Sequence, residues 1–363
     1  LNDKMLKKII VSFPHEWVAY SPTILNLVEI FRKYSEIKVL FVDNGKYNNR
    51  ELPDQFISIK VPSTLFKILA LFGLYEKYKI HLLTSHLKRF DANIAIGVDN
   101  VGMFSAQRVY AKGHFLSLEI KRDKLFGMLS SQRIQSIAIQ SEERLNYLYP
   151  GTPPFPVFFM PNSPIYDPFK HASGKNSTTM FKTIFLGNII PSHGIYHCID
   201  AINVIPFTSI TLKGHVNKSV KKNILKKYKK LILEGRLIID ETYTQQSELI
   251  KSIQSFDAGF CLYDFGIIKK NDFNYISSPS GKMYTYFAAG VPVIGSDILG
   301  LRKVKDFNAG CLLQDLDIDN IEKAIKKIRR EHEKMRLNCL NAAKQLDFIF
   351  YGMKYLRFVL DLK

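Results

Sequence analysis

Residues 278–300, SPSGKMYTYFAAGVPVIGSDILG, read as a turn, a short helix closed by Gly290 and an apolar strand that ends in small residues. Ser278 or Ser280 supplies a helix cap and Pro279 or Gly281 sets the entry. The unsatisfied N–H groups of the first turn then point at whatever lies in front of them. Lys282 falls in that turn, where the helix dipole disfavours a cation by roughly 0.3–1 kcal/mol unless an anion shares the space. A diphosphate suits both the amides and the lysine. The plain alternative is a capped helix whose lysine snorkels into water.

This stretch resembles the donor-binding segment of the GT-B glycosyltransferases, especially the retaining group called family 4, which reads Ser-x-Lys-x-x-Glu-Tyr-x-x-x-Gly-x-Pro-Val-Ile. The match runs through Ser280, Lys282, Tyr286, Gly290, Pro292, Val293 and Ile294. Thr285 stands where the family has a glutamate that holds the donor ribose, and Ser277 replaces its partner glutamate. Hydroxyl side chains can still hydrogen-bond a sugar. The segment GNIIPSHG, 187–194, joins a strand end to a helix start, the place where open α/β sheets bind ligands. Family 4 often carries an arginine and, five residues on, a lysine in this loop; here those positions hold Asn188 and His193. Both donate hydrogen bonds, but neither is a permanent cation, which leaves Lys282 and the backbone amides more of the electrostatic load. The donor-binding set implied is Gly187, Asn188, His193, Ser280, Gly281, Lys282 and Thr285.

In the first half, GVDNVG at 97–102 follows an apolar strand, and GHFLSLE at 113–119 resembles the region where GT-B enzymes set acceptor or catalytic-shell residues. His114 and Glu119 are the catalytic candidates. Asp99 is an acceptor-side candidate that also suits an ordinary loop cap. The segment SFPHE, 12–16, leaves its strand toward the same side, bringing His15 or Glu16 toward an acceptor. The DLDID run at 315–319 has the Asp-x-Asp spacing that another glycosyltransferase fold uses for a divalent metal. It precedes a basic helix, 320–330, and reads as the acidic start of that helix, so no metal is assigned.

These residues need elements to position them. Short apolar runs at 8–13, 38–42, 93–98 and 136–140, with a helix from Pro22 to Arg32, give β-α-β order and a doubly wound first domain. Turn and breaker signals at 160–164 and 173–179 mark a boundary. A second series follows: strands at 183–188, 209–214, 236–240 and 258–263, helices near 194–204 and 246–254, then the lysine-bearing helix and VPVIGS. No G-x-G-x-x-G occurs in either half, which counts against a nicotinamide or flavin dinucleotide enzyme. Residues 346–362 are apolar and aromatic at helical spacing. Lysines 221, 222, 226, 227, 229 and 230 read as the solvated face of a helix packed through Val220, Ile224, Tyr228 and Leu231.

The chain has 363 residues and is 46% apolar, enough for two cores. Cys198, Cys261, Cys311 and Cys339 lack C-x-x-C spacing and read as reduced, buried thiols, which implies a cytoplasmic setting. The first apolar run is too short for a signal peptide and reads as the first buried strand. A net charge of +18 accommodates nucleotides, anionic lipid or nucleic acid, but no nucleic-acid module is recognisable. Segment 65–90 mixes Leu65, Phe66, Ile68, Leu69, Leu71 and Phe72 with Lys67, Lys77, Lys79, Lys88 and Arg89, a composition suited to an anionic membrane surface.

The expected fold is α/β, of GT-B type. Two Rossmann-like domains, 1–165 and 180–345, face each other across a crevice, and a C-terminal helix, 346–363, returns to the first domain. The resemblance implies sugar transfer from a nucleoside diphosphate sugar to a glycan or lipid-linked oligosaccharide in cell-surface polysaccharide biosynthesis. It also implies retention and independence of metal and cofactor, at the inner face of the plasma membrane. The alternatives are a non-catalytic GT-B-like binding or scaffolding subunit, or a sugar-nucleotide epimerase.

Overall fold

The computed structural model describes residues 6–45, 52–167, 179–269 and 271–362. Apart from Thr179, the stretch 173–179 expected to link two domains lies outside them. The chain divides into two compact units. One comprises Leu1–Asn162 with Phe348–Lys363, and the other Ser163–Asp347.

The first unit contains β1 (Lys8–Phe13), α1 (Pro22–Phe31), β2 (Glu36–Asp43), β3 (Phe56–Lys60), α2 (Ser63–Leu71), α3 (Tyr75–Leu87) and β4 (Ile94–Val98). It continues through α4 (Asp99–Gln107), β5 (Gly113–Ser117), α5 (Lys124–Gly127), β6 (Ile134–Ile139), α6 (Glu142–Leu148) and β7 (Val157–Phe159). Among the described residues its strands form one parallel sheet in the order β3-β2-β1-β4-β5-β6-β7. Strands such as IAIGV and SIAI are apolar without alternation because helices cover both faces of such a sheet. Of these strands the sequence reading missed β3, which is mostly not buried, and the three-residue β7, and treated β5 as part of a site.

The second unit runs β8 (Phe181–Leu186), α7 (Ile195–Val204), β9 (Thr208–Lys213), α8 (Lys218–Lys227), α9 (Lys229–Leu233), β10 (Leu237–Asp240) and α10 (Gln246–Ile253). Then come β11 (Ala258–Cys261), α11 (Phe273–Ile276), α12 (Gly281–Ala289), β12 (Val293–Ser296), α13 (Arg302–Asp306), β13 (Gly310–Leu313) and α14 (Ile318–Gln345). The sheet order is β10-β9-β8-β11-β12-β13, again parallel. Two apolar clusters cover its faces, one under α7 and α14, the other under α10 and α12. The lysine-rich helix breaks at Tyr228, and its lysines 222, 226, 227, 229 and 230 are exposed while Val220, Ile224, Tyr228 and Leu231 are buried. Asp317 caps α14 by accepting from the Asn320 N–H at 2.7 Å, so the DLDID run is a helix start. The basic helix expected to stop at 330 continues to Gln345 past a kink at Glu331.

The last helix, α15 (Phe348–Leu360), belongs to the first unit and packs on α1 and β7. A Cβ at Gly352 would lie 2.7 Å from Ile30 Cδ1, so the glycine sets how closely α15 approaches α1. Tyr355 stacks on Phe31 at 6.1 Å, and the Lys7 ammonium donates to the Leu360 carbonyl at 2.6 Å.

Candidate functional site

In each sheet the strand order reverses at one point: between β1 and β4 in the first, between β8 and β11 in the second. Loops leaving the carboxyl ends of strands on either side of such a reversal diverge, and the gap between them is where open α/β sheets take ligands. His15, Glu16 and Asp99 lie at the first point, and Gly187 and Asn188 at the second.

In the second unit Gly187 follows β8 in a left-handed conformation, φ 93°. Its carbonyl oxygen would lie 2.1 Å from a Cβ at Gly214, so these two glycines let adjacent strand ends approach. Asn188, exposed like Gly187, accepts from His193 Nδ1 at 3.1 Å through its carbonyl. Burial, reinforced by the nearby Lys282 charge, pushes the His193 imidazole down to about 3, against a weaker upward pull from the Asn188 contact. The imidazole is therefore neutral near pH 7. Its ring meets Tyr263, which follows β11, edge-on at 5.5 Å.

Helix α12 starts where the sequence places it. Ser280 occupies the cap position without a side-chain bond to the helix, and Gly290, at φ 67°, ends it. Lys282 does not reach into water. Its ammonium is buried with no hydrogen-bond partner among the described residues, 4.4 Å from the centroid of Phe185 and 5.9 Å from that of Tyr263. Burial pushes its proton affinity below the ordinary lysine value, opposed by the nearby Cys261 and Cys198 thiols. The snorkelling alternative is thus corrected. Thr285 donates to the Gly281 carbonyl at 2.9 Å, so its hydroxyl proton is spent within the helix. Tyr286 is a core residue: its hydroxyl accepts from the Leu186 N–H at 3.0 Å and lies 3.2 Å from the Phe260 carbonyl. A cavity of about 540 Å³, lined by Phe265, Asp297, Ile298, Arg302 and Leu312 among others, includes none of the predicted residues.

In the first unit His15, after β1, places Nε2 2.6 Å from Asp99 Oδ2, after β4. Asp99 Oδ1 accepts the N–H groups of Leu118 and Glu119 at 2.7 and 2.8 Å, which ties Glu119 to the same point. Asp99 is thus more than a loop cap. Glu16 accepts a short bond from the Tyr75 hydroxyl, and Tyr75 is raised by burial and by Glu16. Lys79, counted in the sequence among cations facing a membrane, is buried beside them. Its charge is disfavoured by burial and supported by Glu16, Glu76 and Asp99. Sequence reading missed this role because α3 has weak amphipathic character and its two lysines, Lys77 and Lys79, fall on different sides.

His114 is corrected. It sits early in β5 rather than at its carboxyl end, is 3% exposed, and has Nδ1 2.8 Å from Ser136 Oγ. Tyr355 and Phe358 of α15 pack edge-on against its ring, and burial pushes it down to about 4. It is a core histidine. Among the described residues no group of three or more His, Cys, Asp or Glu side chains is placed to hold a metal ion. No described helix is long and apolar enough to cross a membrane.

No protein-family model matches the chain, and no curated protein sequence matches it. Solved structures do. Anabaena HepE in complex with UDP and glucose superposes with a TM-score of 0.67 at 12% identity, over 98% of this chain and 100% of that one. The pneumococcal O-GlcNAc transferase GtfA with UDP and GlcNAc gives 0.66 at 12% identity over 99% of both chains. The N-terminal domain of Candida albicans trehalose-6-phosphate phosphatase gives 0.67 at 8% identity, over 99% and 98%. The fold is therefore GT-B, built of two Rossmann-like units with the final helix returned to the first. At such identities the likeness establishes the fold alone.

Proposed function

We propose that the chain is a glycosyltransferase that takes a nucleoside diphosphate sugar in its second unit and transfers the sugar to a hydroxyl acceptor held by the first. The observation that carries this is Lys282, whose ammonium is sealed from water in the first turn of a helix with no hydrogen-bond partner among the described residues. Leaving a buried charge unpaired costs several kcal/mol, and the nearby thiols and aromatic faces offset only part of it. A diphosphate at the β8–β11 reversal, bound by the amides of α12 and of the Gly187 loop, supplies the missing counter-charge. It also leaves Lys282 placed to stabilise charge on the departing phosphate. Two of the structural neighbours contain UDP, which is consistent with such a ligand.

The acceptor we propose is a glycan or lipid-linked oligosaccharide. α2 buries none of its residues, and Ile68, Leu71, Phe72 and Leu74 are 43–81% exposed beside Lys67 and Lys77, a surface suited to an anionic bilayer where such an acceptor resides. The donor reading is tested by thermal shift over nucleoside diphosphates, since a ligand specific to the folded state raises its apparent stability by about 2.7 kcal/mol at a hundredfold excess over Kd. UDP or GDP should stabilise the protein and not its Lys282→Ala variant; equal shifts in both would sink the assignment. A non-catalytic binding module is favoured by one observation, that neutral His193 and Asn188 stand where a cationic grip is expected. Nucleotide binding without turnover would identify it.

A further inference from the structure

The cavity of about 540 Å³ in the second unit lies apart from the residues assigned to the donor. Its walls come from the loop after β12, from β13, from α11 and α13 and from the segment after β11, whereas the donor residues follow β8 or begin α12. Phe265, Ile276, Ile298, Leu299 and Leu312 make its surface largely apolar. Three of these, Phe265, Ile298 and Leu312, also pack against the core cluster under α10 and α12, so the walls extend a fixed core. The loop after β12 is tied as well. The Asp297 N–H donates to the Leu313 carbonyl at 2.8 Å and the Leu301 N–H to the Ile298 carbonyl at 3.0 Å, and Leu301 and Val304 are buried. With those two side chains pinned inward, the spacing of three residues brings Arg302 and Lys305 onto one side of α13, at the cavity.

Two cations against one carboxylate leave the lining with a single net positive charge. The carboxylate, on Asp297, accepts a short bond from the side-chain amide of Gln314. Lys303, between the two cations in sequence, pairs with Asp306 at 3.1 Å, while the Lys305 ammonium has no hydrogen bond or ion pair among the described residues. Leu299 is 43% exposed although it lines an apolar space. A mere gap between elements calls for neither two cations on one helix turn nor a leucine left at the solvent. We propose that this cavity binds a small amphipathic monoanion, an apolar body carrying one carboxylate. The body lies against Phe265, Ile298, Leu299 and Leu312, and the carboxylate meets Arg302 and Lys305. The volume falls in the range of preformed small-molecule sites, roughly 300–1,000 Å³. Both halves of the ligand are needed. A bare anion leaves the apolar wall wet, and a neutral hydrocarbon leaves Lys305 without a counter-charge. The site lies within the second unit and stands whether or not that unit takes a nucleotide sugar.

The test titrates the full chain with 4-phenylbutyrate, with 4-phenyl-1-butanol as the neutral control and acetate as the control without an apolar body, and reads Kd by NMR and calorimetry. One equivalent of phenylbutyrate should bind with Kd of about 1 mM or tighter. The alcohol should bind at least about fivefold more weakly, and acetate should not saturate. Lys305→Glu should weaken phenylbutyrate by about tenfold or more, and Leu299→Ser by about fivefold. Both positions are exposed, so melting temperatures should stay near that of wild type. Absence of saturable binding overturns the site, and equal affinity for the alcohol overturns its anionic half. A Kd unmoved by both substitutions places the ligand elsewhere and overturns the assignment. Displacement of phenylbutyrate by UDP overturns it too, by making the cavity part of a nucleotide site.

Discussion

Lys282 sets up a conflict between stability and binding in a single side chain. Its ammonium is buried without a hydrogen-bond partner among the described residues, so Lys282→Met, of similar volume and uncharged, should raise ligand-free stability by about 1 kcal/mol or more in urea unfolding. The same change should weaken nucleoside diphosphate binding by about 1.5–3 kcal/mol, roughly ten- to a hundredfold. Loss of stability with unchanged affinity would mean that the lysine serves packing. His114 and His193 set the acid side of the stability profile. Their folded values, about 4 and about 3, lie below the ordinary histidine range, so between there and about pH 6.5 the unfolded chain binds more protons. Stability therefore falls as pH drops through that window. For the fully buried His114 the loss is on the order of 3 kcal/mol by pH 4. His114→Gln should flatten the pH dependence of the urea midpoint, and an unaltered slope would refute the assignment. The sequence offered His114 and Glu119 as the catalytic candidates, with Glu119 slightly ahead. Only strand position separates them, because one sits inside β5 and the other just past its end.

At the level of elements, α12 was legible nearly residue by residue. Its cap, its glycine stop and the strand after it are local signals, and local signals survive without tertiary information. Less visible was how the helix is anchored. Tyr286 matched a resemblance pattern, but its task is to accept the Leu186 N–H of β8, across a span that a Cβ at Gly259 would block 2.6 Å from the ring. Tyr286→Phe should cost about 1–3 kcal/mol by leaving that buried amide unsatisfied, measurable as a shift in urea midpoint. An unchanged midpoint would show that the ring alone anchors the helix. The pairing of His15 with Asp99 was equally hidden. Each residue was noted, yet 84 positions separate them, and only the strand order that sets β1 beside β4 brings them together. Lys79 was misjudged for a related reason: composition gives a helix's charges but not which of them turns inward.

At the scale of the molecule, a net charge of +18 and the unburied α2 predict salt-dependent recovery on liposomes containing anionic lipid and little on neutral ones. Replacing Leu71 and Phe72 by Ser should reduce recovery without altering nucleotide binding, and equal recovery on both lipids would refute the electrostatic part. The position of α15 bears on a different matter, the order in which the protein is made. Ribosomes deliver the first 162 residues early, but the hydrophobic face formed by Phe31, His114 and Phe158 stays uncovered until Tyr355 and Phe358 emerge. The second unit is fully synthesised before then. Vectorial synthesis thus completes the units in reverse of their genetic order, and the earliest-made sheet spends longest as a client for chaperones. A released fragment ending at Asp347 should resist pulse proteolysis in its second unit and remain cleavable in its first.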